Sequence, residues 1–244
     1  MSASPYEFVV DENGAIVLVI RQWLPSAATV VHLGKKEAAF DEKGEVLEPD
    51  VMYVTQEQLW NVCQSELKFE QHQRVIPGTD KRVDESRLTM GMGDDTVKEH
   101  TYSRGAVVVR IQPWHPMVKS IRDRVYKETH IYCNSCLPLK YRHKMDSIGF
   151  HPDREVTPPH NVVVTISAGQ SRKFIMKRNS DGKRVTVTLN MGDACIMWGR
   201  TQELWTHAIE PEPYLQPHPL YENVRYSLTM RQLSGTHLRP SKDA

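Results

Sequence analysis

His151-Pro152-Asp153 sets an imidazole and a carboxylate two residues apart, and Trp205-Thr206-His207 brings a second imidazole far downstream. In extended backbone residues i and i+2 project to the same side, so His151 and Asp153 can offer a nitrogen and an oxygen to one metal. His207 would complete the set from another strand. Two imidazoles and one carboxylate on one face of an octahedral Fe(II) leave three positions open, enough for a bidentate co-substrate plus dioxygen. The chemistry this predicts is oxygen activation at a mononuclear iron.

The run Arg225-Tyr226-Ser227-Leu228-Thr229-Met230-Arg231 alternates strictly. Period-2 geometry sends Arg225, Ser227, Thr229 and Arg231 to one face and Tyr226, Leu228 and Met230 to the other. A surface strand can look the same. If the large apolar face is covered and the polar face is covered too, however, two guanidinium groups point into a cavity, where an unpaired charge costs several kcal/mol. An anion is then the expected partner. Guanidinium pairs bidentately with carboxylates, and 2-oxoglutarate carries one at each end.

The elements that must position these groups can be read from periodicity. Tyr6 to Val10 and Ala15 to Ile20 are apolar, β-branched runs around Asp11-Glu12-Asn13-Gly14, which predicts a hairpin with its first strand at a sheet edge. Between Pro25 and Asp50 charge clusters break any period, and the stretch reads as an insertion. Thr55 with Gln58 suits a capping box opening a helix through Leu59, Val62 and Leu67. A second helix is expected from Pro116 through Val118, Ile121 and Val125. These two helices should buttress a sheet. From Asn161 onward short strands dominate: Val162–Ile166, Phe174–Met176, Val185–Leu189 and Ala194–Trp198, then the segments bearing His207 and the arginines. A β-sandwich or jelly roll follows.

Composition bounds the rest. A chain of 244 residues can form one such domain, with no repeat or linker to divide it. The organisation expected is an N-terminal hairpin and insertion over 1–54, a catalytic domain over 55–235 and a tail over 236–244. A net charge of +1 gives no global pull toward nucleic acid, so any such binding needs a local patch. No apolar run approaches the ~20 residues that span a bilayer and the start is polar, so an intracellular protein of cytoplasm or nucleus, not secreted and not in a membrane, is expected. A monomer is expected. Cys63, Cys133, Cys136 and Cys195 are too few and scattered for a disulfide framework. The single CxxC at 133–136 reads as reduced structural thiols.

The ordered set of motifs resembles the AlkB family of Fe(II)- and 2-oxoglutarate-dependent dioxygenases, and within it the third-homologue subfamily. The likeness runs through Tyr6–Val10, Ser86-Arg87-Leu88-Thr89, Tyr102-Ser103-Arg104, Trp114-His115-Pro116, Asp146-Ser147, the His-x-Asp, Met197–Gln202 and the Arg225–Arg231 strand, about two thirds of the chain. It implies a mainly β, α+β fold, the double-stranded β-helix (jelly roll) with flanking helices. It also implies iron held by His151, Asp153 and His207, and 2-oxoglutarate held by Arg225 and Arg231 with Tyr141 as a hydroxyl donor. The alternative for Tyr141 is a core tyrosine with a satisfied hydroxyl. Leu139 and Ser227 stand where the family usually has asparagines that contact the co-substrate, though the Ser227 hydroxyl can still hydrogen-bond.

The resemblance further implies that Glu155 accepts from the exocyclic amine of a damaged base, the alternative being an exposed loop glutamate. Thr89 to Asp94 lies where relatives carry an aromatic nucleotide-recognition lid, which makes Met92 a weak stacking candidate. Tyr102 is either a stacker or packing. Arg172, Lys173, Lys177, Arg178, Lys183 and Arg184 crowd a hairpin turn, either to engage phosphates or to protect a sheet edge. Trp205 either lines the cavity or packs behind His207. The activity implied is oxidative dealkylation of N-alkylated bases in single-stranded DNA or RNA, or in extruded bases, with 2-oxoglutarate and dioxygen giving succinate, carbon dioxide and formaldehyde. Two other classes stay open: a dioxygenase of this fold acting on protein or a small molecule, and a non-catalytic nucleic-acid-binding module.

Overall fold

The structure is a computed structural model that describes residues 4–26, 54–76, 78–102, 107–155 and 161–233. The expected insertion falls mostly, and the expected tail wholly, outside the described residues. In chain order the strands are β1 (Tyr6–Glu12), β2 (Ala15–Ile20), β3 (Glu70–Val75), β4 (Arg82–Thr89), β5 (Gly91–Gly93), β6 (Glu99–Tyr102), β7 (Val107–Pro113), β8 (Ser135–Tyr141) and β9 (Ile148–His151), followed by β10 (Val163–Gly169), β11 (Arg172–Arg178), β12 (Arg184–Leu189), β13 (Ala194–Gly199), β14 (Trp205–Ile209) and β15 (Arg225–Arg231). The helices are α1 (Gln56–Ser65), α2 (Pro116–Thr129) and the single turn α3 (Thr201–Leu204).

Two sheets face each other. The large one runs β1-β2-β13-β10-β15-β8-β5-β7-β6, with β4 also on β8 and β3 on β4, and the small one runs β12-β11-β14-β9. This is the jelly roll expected from the strand spacing. The N-terminal hairpin turns at Asn13 and Gly14, both at positive φ, which is the backbone an Asn-Gly turn supplies without strain. Its second strand pairs antiparallel with β13, so the hairpin extends the main sheet and leaves β1 at the edge.

The helices cover one face of the large sheet. Thr55 caps α1 with both bonds of the capping box, Gln58 N–H to Thr55 Oγ1 at 3.2 Å and Thr55 N–H to Gln58 Oε1 at 2.9 Å. Pro116 opens α2, and His130 closes it in the left-handed conformation. Leu59 and Val62 of α1 and Val118, Ile121 and Val125 of α2 pack with Val164, Ile166, Tyr226, Leu228 and Met230. Each such side chain taken fully from water contributes ~1.5–3 kcal/mol. A second core, including Val163, Leu137, Met176, Leu189 and Met197, lies among the strands of the jelly roll. β15 therefore divides two environments: its even residues meet the helices, and its odd residues turn into the roll. All four cysteines are buried and free. Burial pushes the Cys133 and Cys195 thiols up to about 12 each, which suits inert structural thiols. Among the described residues, no helix is long and apolar enough to cross a membrane.

Candidate active site

A cavity of about 1010 Å³ opens inside the roll, lined by His151, Asp153 and His207 together with Tyr141, Arg225, Ser227, Thr229 and Arg231. β9 and β14 pair so that His151 stands directly opposite His207, their rings 4.4 Å apart. Asp153 follows β9 by two residues. Its backbone N–H donates to Gln202 Oε1 at 2.8 Å, which ties the loop to α3. One donor atom from each of the three residues falls within 4.8 Å of the other two.

The electrostatics suit a cation. His151 Nδ1 lies 2.8 Å from the Gly149 carbonyl, so as the protonated nitrogen it leaves Nε2 bare for a metal. Burial, then the neighbouring His151, holds His207 down to about 3, so the imidazole is neutral at physiological pH. Burial opposes ionisation of Asp153, yet Arg231 and the three histidines His207, His151 and His100 override it and hold the carboxyl at about 2. An ionised oxygen donor, the neutral His207 imidazole and the bare Nε2 of His151 together fit Fe(II).

The two arginines of β15 are not equivalent. Arg231 Nη1 lies 3.3 Å from Asp153 Oδ1 and 3.4 Å from Glu155 Oε2, so it already serves two protein carboxylates. Arg225, at the other end of the strand and 1% exposed, donates from Nη2 to Ser167 Oγ at 3.1 Å. Its Nε and Nη1 have no partner, and it makes no ion pair among the described residues. Burial pushes it down to about 10, against the nearby Tyr141. The Tyr141 ring lies 5.3 Å below the guanidinium. A buried cation with two idle donors fits a carboxylate ligand, which 2-oxoglutarate would supply. Leu139 faces Ser227 across the β8–β15 ladder and also lines the cavity, and Ser227 Oγ sits 3.4 Å from Thr229 Oγ1. Hydroxyls and one leucine thus stand where amides were expected.

Glu155 and Tyr102 also line the cavity. Glu155 is buried rather than an exposed loop residue, and the Tyr102 hydroxyl donates to Glu85 Oε2 at 2.7 Å. Sequence reasoning missed three companions. His100 is 1% exposed beside Glu155, and Glu85 is buried with Arg87, their charged groups 3.4 Å apart. The available signal was the alternation Glu85, Arg87, Thr89, which places one face of β4 inward.

Two expectations, for Met92 and Arg172, are corrected. Met92 is not in a lid: it is 1% exposed in the helix-side core, on a strand parallel to β7 and antiparallel to β8. A Cβ at the neighbouring Gly93 would sit 2.7 Å from the Asn134 carbonyl, so this segment is small because strands close on it. Arg172 is fully buried, with Nε 3.0 Å from Glu212 Oε1 and Nη2 donating to the Asp146 and Glu210 carbonyls, and it cannot reach a phosphate. Lys173 beside it is exposed, with its ammonium 4.0 Å from Glu212. The hairpin is partly neutralised: Arg178 pairs with Glu12 of β1 and with Asp181 of the turn, and Lys183 lies 3.9 Å from Glu12. Trp205 packs in the core beneath Arg178, away from the cavity.

Residues 47–231 match the family model of the 2OG-Fe(II) oxygenase superfamily. The chain is 31% identical over 170 residues to alpha-ketoglutarate-dependent dioxygenase alkB homolog 3 of Homo sapiens, covering 65% of this chain and 56% of that protein. To the DNA oxidative demethylase ALKBH2 of Mus musculus it is 29% identical over 148 residues, 56% of this chain and 58% of that protein. The chain thus spans little more than half the length of these curated relatives. OsALKBH1 shares the fold, with a TM-score of 0.57 at 17% identity over 93% of this chain and all of that one. Because the family model spans most of the sequence, including the strands that carry the His-Asp-His group, the chain belongs to the 2OG-Fe(II) oxygenase superfamily, whose chemistry uses Fe(II), 2-oxoglutarate and dioxygen.

Proposed function

We propose that this protein removes N-alkyl groups from nucleobases in single-stranded DNA or RNA, or from bases extruded from a duplex. The observation that carries the reading is one cavity in which a His-Asp-His donor set meets an unpaired buried arginine and a wall of hydrogen-bonding acceptors. Fe(II) with 2-oxoglutarate and dioxygen supplies oxidation of a C–H bond beside nitrogen, the co-substrate leaving as succinate and carbon dioxide. His151, Asp153 and His207 hold the metal. Arg225 binds a co-substrate carboxylate, and Arg231 fixes Asp153 against rotation while anchoring Glu155. Glu155 accepts from a donor on the base and offsets the positive charge of an N-alkylated ring. Tyr102, held by Glu85, forms the side of the base chamber. The surrounding core keeps stray water from the reacting carbon.

The name of the mouse relative, a DNA oxidative demethylase, supports nucleic acid as the substrate class. The test is incubation of N-methylated oligonucleotides with Fe(II) and 2-oxoglutarate, with Asp153→Ala as the control. Demethylation that needs both additions and is lost in a folded Asp153→Ala supports the proposal, and retained turnover in that variant overturns the ligand assignment. A second reading, a dioxygenase acting on protein or a small molecule, is favoured by the partly neutralised hairpin and by the absence of an aromatic lid from β5. Co-substrate turnover that no oligonucleotide stimulates would select it.

A further inference from the structure

We infer that His100 is a positioning residue that holds the Glu155 carboxylate in the substrate part of the cavity and away from the metal ligands; the inference rests on the proposed reading of this cavity. β6 brings the imidazole into the cavity wall, 1% exposed, with Nε2 lacking a hydrogen-bond partner among the described residues. That nitrogen lies 3.8 Å from Glu155 Oε1, longer than a hydrogen bond and one small movement from making it. The ring itself is held. It meets Tyr102 nearly edge-on, centroids 6.0 Å apart at 69°, and the Tyr102 hydroxyl is committed to Glu85.

Glu155 needs such a restraint. It follows Asp153 by two residues, and a single nitrogen, Arg231 Nη1, stands 3.3 Å from Asp153 and 3.4 Å from Glu155. The two carboxylates share one cation. Without His100, the partner left to Glu155 among the described residues would be the guanidinium that also serves Asp153. A carboxylate released toward that shared nitrogen approaches the donor set as a further hard oxygen ligand, and it leaves the position from which it meets substrate. With His100 present its two oxygens point to different partners, Oε1 to the imidazole and Oε2 to Arg231. An imidazole N–H that closes the 3.8 Å gap to Oε1 would, together with Arg231 at Oε2, fix the carboxylate plane.

The experiment is a double-mutant cycle on the full chain with His100→Ala, Glu155→Gln and the double variant, plus His100→Gln as the conservative replacement. The probe is a single-stranded oligonucleotide bearing one N-methylated base. KM and kcat are read with Fe(II) and 2-oxoglutarate, and binding to the iron-free protein is read by fluorescence anisotropy. Expected are a rise of about tenfold or more in KM for His100→Ala with a smaller fall in kcat, and binding to the iron-free protein weakened in parallel. Most of the loss should return in His100→Gln, whose amide N–H can reach the same oxygen, and the double variant should be little worse than Glu155→Gln alone. If His100→Ala does not fold, His100→Asn enters the cycle under the same criterion, its shorter amide falling short of Glu155. Losses that add in the double variant, or KM and affinity within about twofold of wild type, overturn the inference alone. A wild type inert on every such oligonucleotide overturns the proposed function and the inference with it.

Discussion

Arg225→Met separates the role of a buried charge in binding from its effect on folding. The guanidinium is fully enclosed, with a hydrogen bond to Ser167, the Tyr141 ring beneath it and, among the described residues, no carboxylate within ion-pair distance. Such a cation costs folding energy, and methionine of similar length removes that cost. Replacing uncompensated buried charge by an apolar side chain of similar volume stabilises by ~1–4 kcal/mol; the Ser167 and Tyr141 contacts already offset part of the penalty, so about 1–2 kcal/mol is expected. For a chain of this size that raises the melting temperature of the ligand-free protein by ~2–8 °C. The same substitution removes the counter-charge of one co-substrate carboxylate, a loss of about 3 kcal/mol, or roughly a hundredfold in affinity for 2-oxoglutarate. Thermal melts with and without 2-oxoglutarate, together with its apparent KM in decarboxylation, read both effects. Wild type should gain stability on adding 2-oxoglutarate and the variant should not. An unchanged apparent KM, or a ligand-free variant less stable than wild type, refutes the assignment of Arg225 as the waiting partner of an anion.

Arg172→Met breaks a buried pair with Glu212 and two carbonyl contacts, so stability should fall by about 3 kcal/mol while oligonucleotide affinity, measured on folded protein, stays at wild type; a selective loss of affinity would restore a phosphate role. Met92→Trp overpacks the helix-side core and should cost ~1–3 kcal/mol in denaturant unfolding without tightening nucleic-acid binding, whereas a folded variant that binds more tightly would return the segment to the lid. In the metal-free protein His207 titrates lower when folded than its ordinary 6.5, so its contribution to stability is present above that value and is lost as pH falls toward about 3. Asp153, ordinarily 3.8 and held at about 2, adds a second loss across that lower window. Denaturant melts against pH should show both slopes, and His207→Leu should remove the upper one; an unchanged upper slope would contradict the neutral, buried imidazole.

The iron-like donor set was legible because its geometry is local: i and i+2 on extended chain, and one partner on a neighbouring strand. The two faces of β15 were legible for the same reason, since strict alternation on a strand covered on both sides admits few arrangements. β3, Glu-Gln-His-Gln-Arg-Val, carries almost no apolar signal and is a strand only because β4 pairs with it. The wall formed by Glu85, Arg87 and His100 depends on β4 and β6 being folded against the roll, which no spacing in the sequence states. Met92 and Arg172 misled in opposite ways. A glycine-flanked methionine suggests a loose loop, and here the glycines exist because strands pack tightly. An arginine in a basic cluster suggests surface, and period 2 turned that one inward while leaving Lys173 in solvent.

The most direct measurement is mass spectrometry of a single-stranded oligonucleotide carrying one N-methylated base, incubated with the protein, Fe(II), 2-oxoglutarate and air, with succinate and formaldehyde quantified in the same tube. Loss of the methyl group with one equivalent each of succinate and formaldehyde is expected, and none of the three without iron. Succinate formed at a rate indifferent to the oligonucleotide, with the methyl group intact on every base offered, would contradict a nucleobase demethylase.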